Sequence, residues 1–162
     1  MYLIDGNNVI GRRGKGYEDW FHDKPASRRQ FLKDLTRLAK VKKLRLTVVF
    51  DGAPDPSFPD GTSYRGVKVF YARQGSDADS RIIEMAEAER NKKNLTVVTS
   101  DRKLADRVRV CGVQVMRAGE FQQLLDEAAA AALNSRNPDA ASVKGEEMDD
   151  WMRYFGVDED DD

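Results

Sequence analysis

Three β-rich apolar runs in this chain each end in an aspartate: Tyr2-Leu3-Ile4-Asp5, Leu46-Thr47-Val48-Val49-Phe50-Asp51 and Leu95-Thr96-Val97-Val98-Thr99-Ser100-Asp101. Short apolar runs bounded by turn residues read as buried strands. The aspartates then fall at the carboxyl ends of those strands, where open α/β sheets place their ligands. After the first run, Gly6 reads as a tight turn whose missing side chain leaves room for a ligand. Asn8 reads as a group that orients a neighbouring carboxylate or a water.

Between the runs the period changes. Residues 11–26 read as a loop with Arg12, Arg13, Lys15, Trp20 and Phe21, the aromatics packing on the sheet and Arg12 and Arg13 facing a substrate. Ser27 starts a helix with the capping box Ser27-x-x-Gln30. Phe31, Leu35, Leu38 and Lys42 form its stripe, with Leu32 and Ala39 beside it. Arg28, Arg29, Lys40, Lys42 and Lys43 read as its solvated face. The Pro- and Gly-rich residues 52–66 form a long loop at the site edge, followed by a strand over Val67–Tyr71.

Gly75-Ser76-Asp77-Ala78-Asp79-Ser80 opens the next helix. Asp79 precedes Ile82, Ile83 and Ala86 by three, four and seven residues, so it shares their inward face and points along the sheet edge. Asp77 lies nearer Arg81 and Glu84 and suits a helix N-terminus. A helix over Arg102–Val110, a strand over 113–116 and a helix over 120–133 complete the pattern. Residues 134–144 read as a polar linker. An amphipathic helix over 146–155 would carry Met148, Trp151, Met152 and Phe155, and 158–162 would be disordered.

Length, 162 residues, indicates one domain, 1–133, with an acidic C-terminal segment, 134–162. The net charge of −1 hides an asymmetry: from Asn134 onward there are three Lys/Arg against ten Asp/Glu, and before it 24 against 18. A basic body fits a polyanionic partner. Cys111 is the single cysteine, which excludes an intrachain disulfide and a zinc-finger site; it reads as a core residue. His22 is the single histidine and receives no role. No run is long enough to span a membrane and no signal peptide is evident, so the expected location is cytoplasmic.

The chemistry lies in the acids. Asp5, Asp51, Asp79 and Asp101 at one sheet edge would repel one another strongly without a cation between them. Hard divalent ions such as Mg²⁺ are held by carboxylates and waters.

These residues resemble the NYN domain family of the PIN-like nuclease superfamily, and most closely its YacP-like branch. The resemblance rests on Leu3-Ile4-Asp5-Gly6-Asn7-Asn8-Val9-Ile10, Val48-Val49-Phe50-Asp51, Ala78-Asp79-Ser80 and Val98-Thr99-Ser100-Asp101-Arg102, and covers residues 1–133. It implies a three-layer α/β/α sandwich with a central, mainly parallel sheet. It also implies a metal-dependent ribonuclease with Asp5, Asp51, Asp79 and Asp101 as the acidic, metal-holding cluster, and Mg²⁺ or Mn²⁺ as the ion. Asn8 and Ser100 would support the cluster, with Asp77 a lesser candidate. Arg12, Arg13 and Arg102 are the candidates for RNA phosphates. The chain departs from the branch at Asn7, where an aromatic is usual. Two other readings are a catalytically silent RNA-binding domain, and an adaptor that binds a protein partner through the acidic-aromatic segment.

Overall fold

The computed structural model describes residues 1–13, 17 and 24–136. Its six strands form one sheet in the order β3-β4-β2-β1-β5-β6. β1 (Tyr2–Asp5), β2 (Leu46–Phe50), β4 (Val67–Tyr71), β5 (Thr96–Val98) and β6 (Gln114–Met116) are parallel. β3 (Thr62–Tyr64) pairs antiparallel with β4 at one edge.

Strand side chains alternate between two cores, as the period of two requires. Ile4, Val48, Phe50, Val69 and Val98 enter the core under α1 (Gly6–Arg13), α2 (Lys24–Lys42) and α5 (Ala118–Arg136). Leu3, Val49 and Val97 enter the core under α3 (Ala78–Ala88) and α4 (Arg102–Val110). The result is the three-layer α/β/α sandwich, with helices on both faces of a mainly parallel sheet.

Of the predicted stripe of α2, Phe31, Leu35 and Leu38 face the core with Leu32 and Ala39, whereas Lys42 is exposed and pairs with Glu127. Its start differs from expectation. The helix begins at Lys24, with Pro25 in its first turn, a position proline tolerates, so Ser27 and Arg28 are buried helix residues. Arg28 is therefore not on the solvated face. α1 starts at Gly6 directly after β1, so the expected loop of residues 11–26 gives up its first three residues to α1 and its last three to α2, and residues 14–16 and 18–23 lie outside the described residues.

Within residues 52–66 the dense prolines and glycines concealed a short strand, β3. Cys111 lies at the C-cap of α4, partly exposed, and not in the core. α5 continues to Arg136, past the expected linker boundary at Asn134. Lys15, Trp20, Phe21, His22 and the expected helix over 146–155 lie outside the described residues. Among the described residues no helix is long and apolar enough to cross a membrane.

Candidate active site

The chain passes from β1 to β2 and β4 on one side of the sheet, then returns to β5 and β6 on the other. The connection after β1 leaves over one face, through α1, and that after β5 leaves over the other, through α4. Their divergence opens a crevice at the carboxyl ends of β1 and β5, the position at which such sheets bind ligands. Asp51, Asp5 and Asp101 follow three adjacent parallel strands, β2, β1 and β5, in that spatial order.

Asp5 ends β1 and is buried. Its Oδ2 accepts the Thr99 hydroxyl at 2.9 Å, and the backbone N–H of Asn8, in the first turn of α1, also favours its ionised form. Burial outweighs both. Together with the charges of Asp79 and Asp51 it pushes the Asp5 carboxyl up to about 7. Asp79 is raised as well, first by burial and then by Asp101, Asp77 and Asp51. The acids thus act on one another electrostatically. Asp79 shares its helix face with the buried Ile82, Ile83 and Ala86, as its spacing predicted.

Each remaining acid also organises backbone. Asp51 Oδ1 accepts the Ala78 amide at 2.7 Å, tying the end of β2 to the first turn of α3, which carries Asp79. Asp101 caps α4, accepting from the amides of Lys103 at 2.9 Å and Leu104 at 3.4 Å. Asp77 caps α3 through the Ser80 amide at 2.8 Å, the helix-terminal role foreseen for it.

Two asparagines span the three strand ends. Asn7 Oδ1 accepts the Asp51 amide at 3.2 Å, and Asn8 Oδ1 accepts the Ser100 amide at 2.9 Å. Ser100 Oγ in turn accepts the Ala118 amide at the start of α5, at 2.9 Å. The side chains of Asn8 and Ser100 therefore brace backbone, while the Asn8 N–H serves the Asp5 carboxylate. Sequence reasoning passed over Asn7 and Thr99; the doubled asparagine and the hydroxyl two residues before Asp101 were the available signals.

Gly6 has a different role from the one expected. A Cβ there would lie 2.6 Å from the Phe50 ring and 3.0 Å from Val48 Cγ2, so the space belongs to the core and not to a ligand. Gly52, at φ +88°, supplies the turn after Asp51. The missed residue Arg28 fills that turn from below. Its guanidinium donates to the carbonyls of Asp51 and Ala53 and lies over the rings of Phe50 and Tyr71.

Beyond β5 the crevice opens into a cleft of about 900 Å³. Arg12 and Arg102 both face it, beside Thr99 and Ser100. Arg13 does not reach it. Its guanidinium lies 3.8 Å from Asp34 and 3.6 Å from Asp126 and sits over the Tyr17 ring, within the α1-α2-α5 interface, so the expectation of a substrate contact there is withdrawn.

Carboxylates at this edge are the hard oxygen donors that Mg²⁺ or Mn²⁺ takes. Among the described residues, however, no three His, Cys, Asp or Glu side chains are gathered as a metal-holding group. The donor set fits by chemistry and by position, and not by a ready-made spacing.

The YacP-like NYN domain profile matches residues 2–153, extending past Leu133 into the acidic segment. Among solved structures, the chain is similar to Rae1 (YacP) from Bacillus subtilis at 20% identity and a TM-score of 0.68, covering 99% of this chain and 97% of that one. A W164L mutant of the same protein gives 18% identity and a TM-score of 0.72, over 95% of this chain and 90% of that one. At these identities the likeness is one of fold. No curated protein matches.

Proposed function

The chain belongs to the YacP-like NYN domain family, a family of nuclease type, and on that premise we propose that it is a metal-dependent endoribonuclease hydrolysing RNA phosphodiester bonds at the acidic edge. The observation that carries this reading is the placement of Asp51, Asp5 and Asp101 at the same ends of three adjacent parallel strands, with Asp79 electrostatically coupled to all three.

In this proposal Asp5, Asp51, Asp79 and Asp101 hold Mg²⁺ or Mn²⁺. The ion's chemistry, when bound, is to lower the pKa of water and to neutralise charge on the phosphate. The chain's own residues do the rest. The backbone braces from Asn7, Asn8 and Thr99 keep three strand ends in register. Arg12 and Arg102, which line the cleft, bind RNA phosphates. Near neutral pH Asp5 is poised between its two protonation states, so a cation at this edge is favoured as pH rises.

The test is incubation of the purified chain with labelled single-stranded and structured RNA, in Mn²⁺, Mg²⁺ or EDTA. Cleavage that EDTA stops, and that Asp5→Asn and Asp79→Asn abolish, is expected. Mn²⁺ should also raise the melting temperature of the wild type more than that of Asp79→Asn. Full activity in both variants would refute the assignment. RNA binding without cleavage would favour the silent RNA-binding domain.

A further inference from the structure

Apart from Arg107, exposed on α4 and acting by its charge on Asp77 and Asp79, the arginines flanking the acidic edge form two groups. On the β4 side they are engaged by the protein itself. Arg81 binds Asp60 through both terminal nitrogens at 3.3 Å and donates to the Tyr71 carbonyl at 2.7 Å. Arg73 pairs with Glu84 at 2.7 Å, Arg29 with Asp55 at 2.9 Å, and Arg28 is buried on backbone carbonyls. On the β6 side the arrangement is the opposite. Arg12, Arg102 and Arg117 are exposed and make no ion pair with a described residue, and all three face the cleft.

Arg109 faces the same cleft. Its pairing with Asp106 at 3.3 Å is between two well-exposed side chains. Such a pair contributes little and exchanges readily for another anion. Asp106 and Glu120 also line the cleft, against four arginines.

We infer that an RNA strand leaves the acidic edge in one direction, over β5 and β6, with its phosphates held by Arg12, Arg102, Arg109 and Arg117. This rests on the nuclease reading and adds to it a path and a strandedness. The path follows from the free cations. The strandedness follows from the shape, since a cleft of about 900 Å³ that runs along α4, beside the end of α1 and the start of α5, takes a few nucleotides of one strand and not a duplex. The groups that the described lining presents to a strand are guanidiniums, which contact backbone phosphates.

The experiment is fluorescence anisotropy with a labelled single-stranded RNA in EDTA, so that binding is read without cleavage, using the full chain. Arg109→Ala and Arg117→Ala should each raise Kd by about three- to tenfold at low salt and reduce the salt slope by about 0.7. Arg73→Ala, on the β4 side, should leave Kd unchanged, and a duplex of the same sequence should compete weakly. Circular dichroism of each variant separates misfolding from lost contacts, and Arg117→Lys should recover part of the affinity. Unchanged Kd in both folded cleft variants, or an equal loss in Arg73→Ala, would overturn the path. Preference for duplex would overturn the strandedness. A cleft that takes a polyglutamate peptide but no RNA would assign it to an acidic protein segment and likewise overturn the proposal. Failure of the nuclease reading is seen separately, as binding that follows this pattern without Mn²⁺-dependent cleavage.

Discussion

The hydroxyl of Thr99 donates to Asp5 Oδ2 at 2.9 Å and accepts the Asp101 amide at 3.1 Å, so one buried threonine joins the acid that ends β1 to the acid that follows β5. Nothing between β1 and β5 in sequence implies this link; it exists because the two strands are neighbours in the sheet.

Thr99→Val keeps the shape and removes the hydroxyl. Asp5 then loses a hydrogen bond that favours its ionised form, and the Asp101 amide loses its acceptor. The expected cost is about 1–3 kcal/mol in chemical denaturation, together with a shift of the acid limb of the pH–activity profile to higher pH. Thr99→Ser should restore both. An unshifted profile in Thr99→Val would show that Thr99 does not tune Asp5.

Asp5 also makes stability depend on pH. Folded, its carboxyl holds a proton up to about pH 7, whereas the ordinary value is 3.8. Between those values the native state binds the extra proton, so this group's contribution to stability falls as pH rises from about 4 to about 7. Asp5→Asn removes the penalty. Its unfolding free energy should equal that of the wild type near pH 4 and exceed it increasingly toward pH 8, by up to about 4 kcal/mol in the metal-free protein. A constant difference across that range would mean that Asp5 does not titrate there.

Arg28 supports Asp51 from beneath. Arg28→Met fills similar space but leaves the carbonyls of Asp51 and Ala53 without their donor. The expected loss is about 1–3 kcal/mol, read from the urea midpoint. Arg28→Lys should recover only part, because an ammonium lacks the planar fork that serves two carbonyls and stacks on rings. A loss within about 0.5 kcal/mol, the range of surface substitutions, would argue that the contact is incidental.

Gly6→Ala places a methyl 2.6 Å from the Phe50 ring. Phe50 is fully buried, so α1 must move away from β2 and shift Asn7 and Asn8 with it. A loss of about 1–3 kcal/mol is expected from overpacking. The double variant with Phe50→Leu should be less destabilised than the sum of the two single changes. Simple additivity would place the cost elsewhere.

The five parallel strands, the three strand-end aspartates and the inward face of Asp79 were legible because each is a local fact. An apolar run buried on both faces leaves its period in the chain, and Asp79 shares a helical stripe with Ile82, Ile83 and Ala86. What local pattern could not express is which groups meet across 23, 44 or 92 residues of chain: Arg28 with Asp51, Asn7 with Asp51, Asn8 with Ser100. Gly6 looked like a turn because glycine usually marks one, and only the approach of α1 to β2 shows that Phe50 fills its side-chain space. Arg28 and Arg13 looked like surface cations because charge predicts exposure. Packing instead placed one beneath Gly52 and the other against Asp34 and Asp126, while Arg12, beside Arg13 in sequence, was left facing the cleft.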